Sequence, residues 1–158
     1  MERTSPLEWM TRSAQNKVLH MSLRLAEANR AVDASLAKAC ELEIKVSVSV
    51  CDAAGRLVAH QRMDGVVAEA PLGSIGKAIG AATAGQTDKA SFDPLARQFR
   101  TNVVIGEGAP VIMGPGGLPI MRSGELEGAI GVTGAPYTEQ DEECAKAGVE
   151  ALARPMPL

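Results

Sequence analysis

The sequence predicts a single α+β domain in which helices pack on an antiparallel sheet, and three observations lead to this prediction. Apolar residues recur at helical spacing before position 42, alternating segments joined by tight turns follow, and an acidic segment at helical spacing comes last. Strands that are joined by tight turns run antiparallel. The expected order is therefore helix, hairpin, two helices, three strands and helix, and 158 residues suffice for one core.

The first helix and the hairpin are predicted from side-chain periodicity. Between residues 22 and 42, apolar residues recur every three or four positions and line one helix face: Leu25, Ala28, Val32, Leu36 and Ala39. The next segment alternates Ile44, Val46, Val48 and Val50 with Lys45, Ser47, Ser49 and Cys51. This period of two predicts a strand with one buried face. Asp52 then serves as a turn-former in DAAG, so residues 43–63 are expected to form a hairpin.

A helix of small residues is predicted at GSIGKAIGAATAG, residues 73–85. Gly76, Gly80 and Ala84 are spaced by four and would form a smooth stripe, although each glycine costs about 1 kcal/mol relative to alanine. Something is therefore expected to approach this stripe closely, and a sheet, another helix or a flat ligand would each fit. Lys77 is an isolated cation in this helix.

The second half of the chain is predicted to contain a short helix, three strands and a closing helix. The short helix lies at SFDPLARQFRT, residues 91–101, and the strands lie within residues 109–134, separated by the turns GPGG and SGE. The closing helix runs from Thr138 to Leu152, with Thr138 as N-cap and Asp141 in a near capping box. Acidic residues 139–143 are then explained by the helix dipole, as architecture rather than chemistry.

Composition excludes several classes of function. Sixteen basic and nineteen acidic residues give a net charge of -3 without a basic block, which argues against a nucleic-acid partner. No apolar run has the length of a signal peptide or a membrane span, so we expect a soluble cytoplasmic protein. Cys40, Cys51 and Cys144 are scattered, which is atypical of a disulfide framework or a zinc site. Residues 1–21 form an arm whose Trp9 is expected to dock on this domain or on a second subunit, which favours a homo-oligomer.

Four motifs, in order, carry a resemblance to a known family: VSVSVCDAAGRLVAHQRMDG, GKAIGAATAG, GPGGLPI and GAIGVTGAPYTEQDEECAKAG. Together they resemble the GlcG/HbpS family, also called the haem-degrading domain or DUF336. The resemblance covers roughly residues 22–152 and implies one domain over residues 22–158 with a profilin-like or PAS-like α+β fold. It also implies dimers or higher oligomers and, in some members, haem binding or haem breakdown.

The resemblance also implies where a small anionic molecule or haem would bind. The matching positions are Arg62, Asp64, Lys77, Gly116, Gly117 and Leu118. Arg62 and Lys77 could hold a carboxylate or propionate, and the backbone amides of the GGLP turn could bind an oxyanion. The alternative is structural: Arg62 and Asp64 pair with each other or cap a turn, and Lys77 is solvated.

Three functional hypotheses follow. The first is a protein that binds haem or another small anion; His20, His60, Cys51 and the methionines are the conceivable axial ligands of haem iron. His60 lies inside the matching region, and the alternative for a lone histidine on a strand is a polar surface residue. The second is an enzyme that acts on a small carboxylated metabolite, with Asp64 as general base. The third is a non-catalytic oligomeric accessory protein. The sequence leaves open whether the chain is an enzyme.

Overall fold

Three helices and four strands make up the part of the chain that the structure describes, residues 23–85 and 111–153 of a computed structural model. In chain order they are α1 (Leu25–Glu41), β1 (Ser47–Asp52), β2 (Leu57–Arg62), α2 (Ala70–Gly85), β3 (Gly117–Arg122), β4 (Glu125–Thr133) and α3 (Thr138–Ala153). The predicted α+β class, the first helix, the hairpin, the glycine-rich helix and the closing helix are all confirmed. The arm at residues 1–21 and the short helix at 91–101 lie outside the described residues.

The four strands form one antiparallel sheet in the order β2-β1-β4-β3. The turn between β1 and β2 is built by Asp52, whose carboxylate accepts hydrogen bonds from the backbone N–H groups of Ala54 at 2.9 Å and Arg56 at 3.0 Å. Its predicted role as a turn-former is confirmed. Between β3 and β4, Ser123 and Gly124 both have positive φ, as a two-residue hairpin turn requires.

Both faces of the sheet are covered, which corrects the prediction of a strand with one buried face. On one side α1 and α3 pack on the fully buried Val46, Val48 and Val50. On the other side α2 crosses the sheet, so Ser47 and Ser49 of β1 are also fully buried. The alternation in β1 is real, but its second set of residues faces a helix instead of solvent.

The contact between α2 and the sheet is close because side chains are small or absent there. A Cβ atom added at Gly131 of β4 would lie 2.0 Å from the backbone oxygen of Ser74, and one added at Gly117 of β3 would lie 2.8 Å from that of Lys77. Neither gap admits a methyl group, so the backbones themselves are in contact. The sequence predicts a close neighbour for the glycine-rich helix, and the sheet is one such neighbour.

A second neighbour of α2 corrects the predicted number of strands. The N–H of Ile112 donates to the carbonyl of Gly76 at 3.0 Å, and a Cβ at Gly80 would meet the carbonyl oxygen of Ile112 at 2.1 Å. Residues 111–113 therefore lie along the glycine stripe and form no strand. In the described ranges, residues 109–134 contribute two strands where the sequence predicts three, because a backbone segment fits on a stripe without side chains.

None of the helices within residues 23–85 and 111–153 is both long enough and apolar enough to cross a membrane.

Candidate functional site

A buried ion pair joins α2 to α3. Lys77 projects from α2, and its Nζ lies 2.9 Å from Oδ2 of Asp141 and 2.9 Å from the carbonyl oxygen of Val132. Both ionic side chains are buried, and Oδ1 of Asp141 accepts a third hydrogen bond from the N–H of Ala135 at 3.1 Å. Each charge thus has an opposite charge and a backbone partner, which is the condition for keeping an ion pair away from water.

This pair changes the interpretation of two predicted residues. The predicted capping box at Asp141 is wrong. The Asp141 carboxylate accepts hydrogen bonds from the N–H of Ala135 and from Lys77, and not from the N-cap backbone. Lys77 is not solvated, so that alternative is also wrong. A ligand carboxylate at Lys77 would have to share the ammonium with Asp141. The part of Lys77 in ligand binding stays a prediction.

The GPGG turn borders a cleft with acidic walls. The cleft has a volume of about 620 Å³ and is lined by Gly114, Pro115, Gly117, Leu118, Glu139, Glu142, Glu143 and Lys146. Of the turn amides, that of Gly116 donates to Oε2 of Glu142 at 2.7 Å. A carboxylate of the chain therefore already occupies one of the GGLP-turn amides that, on the sequence-based prediction, could bind an oxyanion. No cluster of metal-ligating residues forms in the described parts of the chain.

Arg62 and Asp64 lie at the opposite edge of the sheet from this cleft. Both are exposed at the end of β2, whereas Gly117 begins β3. Three strand spacings, about 14 Å, separate the two edges. Arg62 and Asp64 form no ion pair with each other in the described structure; Lys45 donates to the Asp64 carbonyl at 2.8 Å. The predicted site residues thus fall into two groups, and the general-base role of Asp64 stays a prediction.

His60 stands beside Arg62 and is connected to buried hydroxyl groups. It lies on β2 opposite Ser49 of β1, and its Nδ1 is 2.8 Å from the hydroxyl oxygen of Ser49. That oxygen is 2.8 Å from the hydroxyl of Ser74 on α2. Burial and then the nearby charge of Arg62 lower the pKa of His60 below 6.5, so the imidazole is neutral near pH 7.

Among the conceivable iron ligands in the described ranges, His60 has the suitable chemistry. Cys51 is buried, and burial raises the pKa of its thiol to about 12, so the thiolate that binds iron does not form near neutral pH. The sulfur of Met63 already accepts a contact from the N–H of Val46 at 3.3 Å. His20 lies outside the described residues. Met113 and Met121 are exposed and stay conceivable ligands, whereas His60 offers a half-buried, neutral imidazole.

Four residues around these sites are missing from the sequence-based set: Ser49, Ser74, Asp141 and Glu142. A signal existed for Ser49, because β1 carries serines at alternating positions and Ser49 pairs with His60 in the hairpin; Ser74 lies on α2 and had no such signal. The sequence predicts Glu142 only as a helix-dipole residue, and Asp141 as a helix-dipole residue that also belongs to a near capping box. Their partners, Lys77 and Gly116, are distant in sequence and unrelated by any local spacing.

Comparison with known proteins gives concordant results. A family model described as "Haem degrading protein HbpS-like" matches residues 23–150. An uncharacterized 15.0 kDa protein from the dhaT-dhaS intergenic region of Citrobacter freundii is 31% identical over 135 residues, covering 84% of this chain and 93% of that protein.

Solved structures share the fold. A double mutant of HbpS from Streptomyces reticuli superposes with a TM-score of 0.66 at 25% identity, over 95% of this chain and 93% of that one. PduOC, solved as a haem complex, superposes with a TM-score of 0.63 at 22% identity, over 82% of this chain and 94% of that one. At this identity the likeness to PduOC concerns the fold alone.

Proposed function

The chain belongs to the HbpS-like family, and on that premise we propose that it binds haem and that the imidazole of His60 would hold the iron. The observation that carries the proposal is the state of this ring: neutral, half-buried and hydrogen-bonded at Nδ1 to Ser49. Histidines that bind metals characteristically engage one ring nitrogen with the protein and present the other to the metal.

The surroundings of His60 also suit a haem molecule. Leu57, His60 and Arg62 are residues of the edge strand β2, and they pair with Cys51, Ser49 and Ser47, the residues of β1 that face α2. Leu57 is 51% exposed, so it offers apolar contact to a porphyrin, and the exposed guanidinium of Arg62 can pair with a propionate. When bound, haem would supply an iron centre for ligand or electron chemistry; the chain's residues bind and orient it.

The proposal includes a homo-oligomer as the binding-competent form. β2 is an edge strand, so a second copy of the chain could pack beside a haem that His60 and Arg62 would hold. Large apolar side chains that remain exposed, including Val67 at 57% and Leu72 at 56%, support such an interface. The glycine stripe of α2 adds little support for a subunit interface, because the backbone of Ile112 already lies along it. Light scattering that gave a mass near 16.5 kDa would contradict the oligomer.

Haem titration of matched histidine variants tests the proposal. We expect the wild-type protein to shift the Soret band of added haem, and His60→Ala to lose this shift with at least a tenfold weaker affinity, the lower end for loss of a strong interaction. The control is His20→Ala, the same substitution at the other histidine, which should bind as the wild type does. Loss of binding in His20→Ala with retention in His60→Ala would refute His60 as the ligand.

A further inference from the structure

We infer that Ser49 and Ser74 are positioning residues that hold His60 in the tautomer with a proton on Nδ1 and a free electron pair on Nε2. The role of this tautomer in haem binding rests on the proposed function. The tautomer itself is a property of the chain and can be measured without haem.

His60 begins a chain of hydrogen bonds through the hydroxyl groups of Ser49, Ser74 and Ser47. The chain ends at two backbone carbonyl groups, those of Pro71 and Gln61. Ser74 lies 2.9 Å from the carbonyl oxygen of Pro71 and 3.2 Å from the hydroxyl of Ser47, which in turn lies 3.4 Å from the carbonyl oxygen of Gln61. A carbonyl oxygen only accepts hydrogen bonds. Ser74 is the donor in both of its contacts, so its single hydroxyl hydrogen lies between the Pro71 carbonyl and the Ser47 hydroxyl, nearer to Pro71, and none is left for Ser49. The hydroxyl hydrogen of Ser47 goes to the Gln61 carbonyl.

Counting the remaining hydrogens assigns the tautomer. With Ser74 donating to Pro71, the 2.8 Å contact between Ser49 and Ser74 needs the hydroxyl hydrogen of Ser49. Ser49 then has no hydrogen left for His60, so the 2.8 Å contact between them needs a proton on Nδ1. The opposite tautomer would leave the two serine oxygens facing each other at 2.8 Å without a hydrogen, which is repulsive.

The serine hydroxyls lie beside a close backbone contact between α2 and β4. Ser49 is paired with Gly131 in the sheet, and the backbone oxygen of Ser74 is the atom that a Cβ at Gly131 would strike. Ser49 and Ser74 are fully buried, so water does not compete for their hydrogens. No described group bonds Nε2 of His60, which leaves this nitrogen for a metal. The tightness of the contact between α2 and the sheet thereby fixes the orientation of the ring.

The first test is nitrogen NMR of the imidazole in haem-free protein at a pH where His60 is neutral. The wild type should show the tautomer protonated on Nδ1. Ser49→Ala removes the acceptor, and Ser74→Ala frees the hydrogen of Ser49 to turn towards Nδ1, so both variants should move towards protonation on Nε2. Ser35→Ala is the control, since it also deletes a fully buried hydroxyl, one that donates to the Cys144 carbonyl at 2.8 Å.

The outcomes separate this inference from the proposed function. A wild-type ring protonated on Nε2, or a Ser49→Ala ring with an unchanged tautomer, would overturn the inference even if Ser74→Ala failed to fold. Haem affinity is the second readout: Ser49→Ala should bind haem about 10- to 100-fold more weakly, as expected for loss of a partner of a metal ligand. Metal-free protoporphyrin should bind wild type and variant equally. Failure of the wild type to bind haem would refute the proposed function and leave the tautomer assignment standing.

Discussion

Replacing Lys77 by methionine should destabilise the protein strongly, although the substitution changes little in volume. The variant loses the ammonium group that serves Asp141 and the Val132 carbonyl, while the carboxylate stays buried between α2 and α3. Removing one partner of a buried ion pair costs about 3 to 5 kcal/mol. We expect the lower end of this range, because Asp141 keeps its hydrogen bond from the N–H of Ala135.

The measurement is urea unfolding at pH 7 and a fixed protein concentration, with the free energy of unfolding and its urea dependence fitted together. The matched control is Lys146→Met, because Lys146 is 59% exposed and lies 3.8 Å from Glu142. Because the lysine of this pair is exposed and Glu142 is only partly buried, we expect the pair to contribute less than about 1 kcal/mol. The two variants thus make the same chemical change in a buried pair and in a pair whose lysine is exposed.

A double-mutant cycle isolates the pair itself. Asp141→Asn should also destabilise, and Lys77→Met combined with Asp141→Asn should lose less than the two single losses added, by about 1 to 3 kcal/mol for groups in direct contact. If Lys77→Met and Lys146→Met cost the same, with unchanged urea dependence, the buried pair does not stabilise the fold as the geometry indicates.

Three further predictions can be checked with small amounts of protein. At pH 8 a thiol reagent should rapidly label only Cys40, which is exposed, since burial raises the pKa of Cys51 to about 12 and that of Cys144 to about 11; rapid labelling of two thiols would contradict this. Burial alone would raise the pKa of Glu27, but hydrogen bonds from the Arg24 N–H and from Arg122 lower it below 4.5. The stabilisation that the ionised Glu27 contributes is therefore full above pH 4.5 and is lost as the pH falls through the lowered pKa. Glu27→Gln should be less stable than the wild type towards urea at pH 7, and equally stable in strong acid. A loss independent of pH would refute the assignment. Gly131→Ala should lower the free energy of unfolding by about 1 to 3 kcal/mol, because its methyl group meets the Ser74 backbone; an unchanged melting temperature would show that α2 can move away.

Local patterns in the sequence predict most of the fold. The period of α1 and the turn at Asp52 each depend on residues a few positions apart, and both are found as predicted. Burial of the second face of β1 could not be predicted in this way. An alternation of valine and serine shows that two faces differ in polarity, but it does not show whether a helix covers the serine face.

The candidate site is harder to predict because its contacts are long-range. Lys77 could be recognised as unusual, but its partner Asp141 is 64 positions away and resembled an ordinary helix-start residue. The hydrogen bonds from His60 through Ser49 to Ser74 link β2, β1 and α2. They form only when α2 packs on the sheet. Matching the family motifs identifies Arg62 and the GGLP turn as candidate site residues. It does not give the distance between them.

The backbone contact between α2 and β4 also limits how the sequence can change. When two side chains clash, shortening one of them can relieve the other, so a harmful substitution in an ordinary core can be rescued by a second one. At Gly131 the opposing atom is the Ser74 carbonyl oxygen, which every residue type carries. No replacement at position 74 can therefore make room for a side chain at 131, and rescue would require a shift of the whole helix. Directed evolution of this protein should find compensating pairs in the valine-lined face of the sheet and none across this contact.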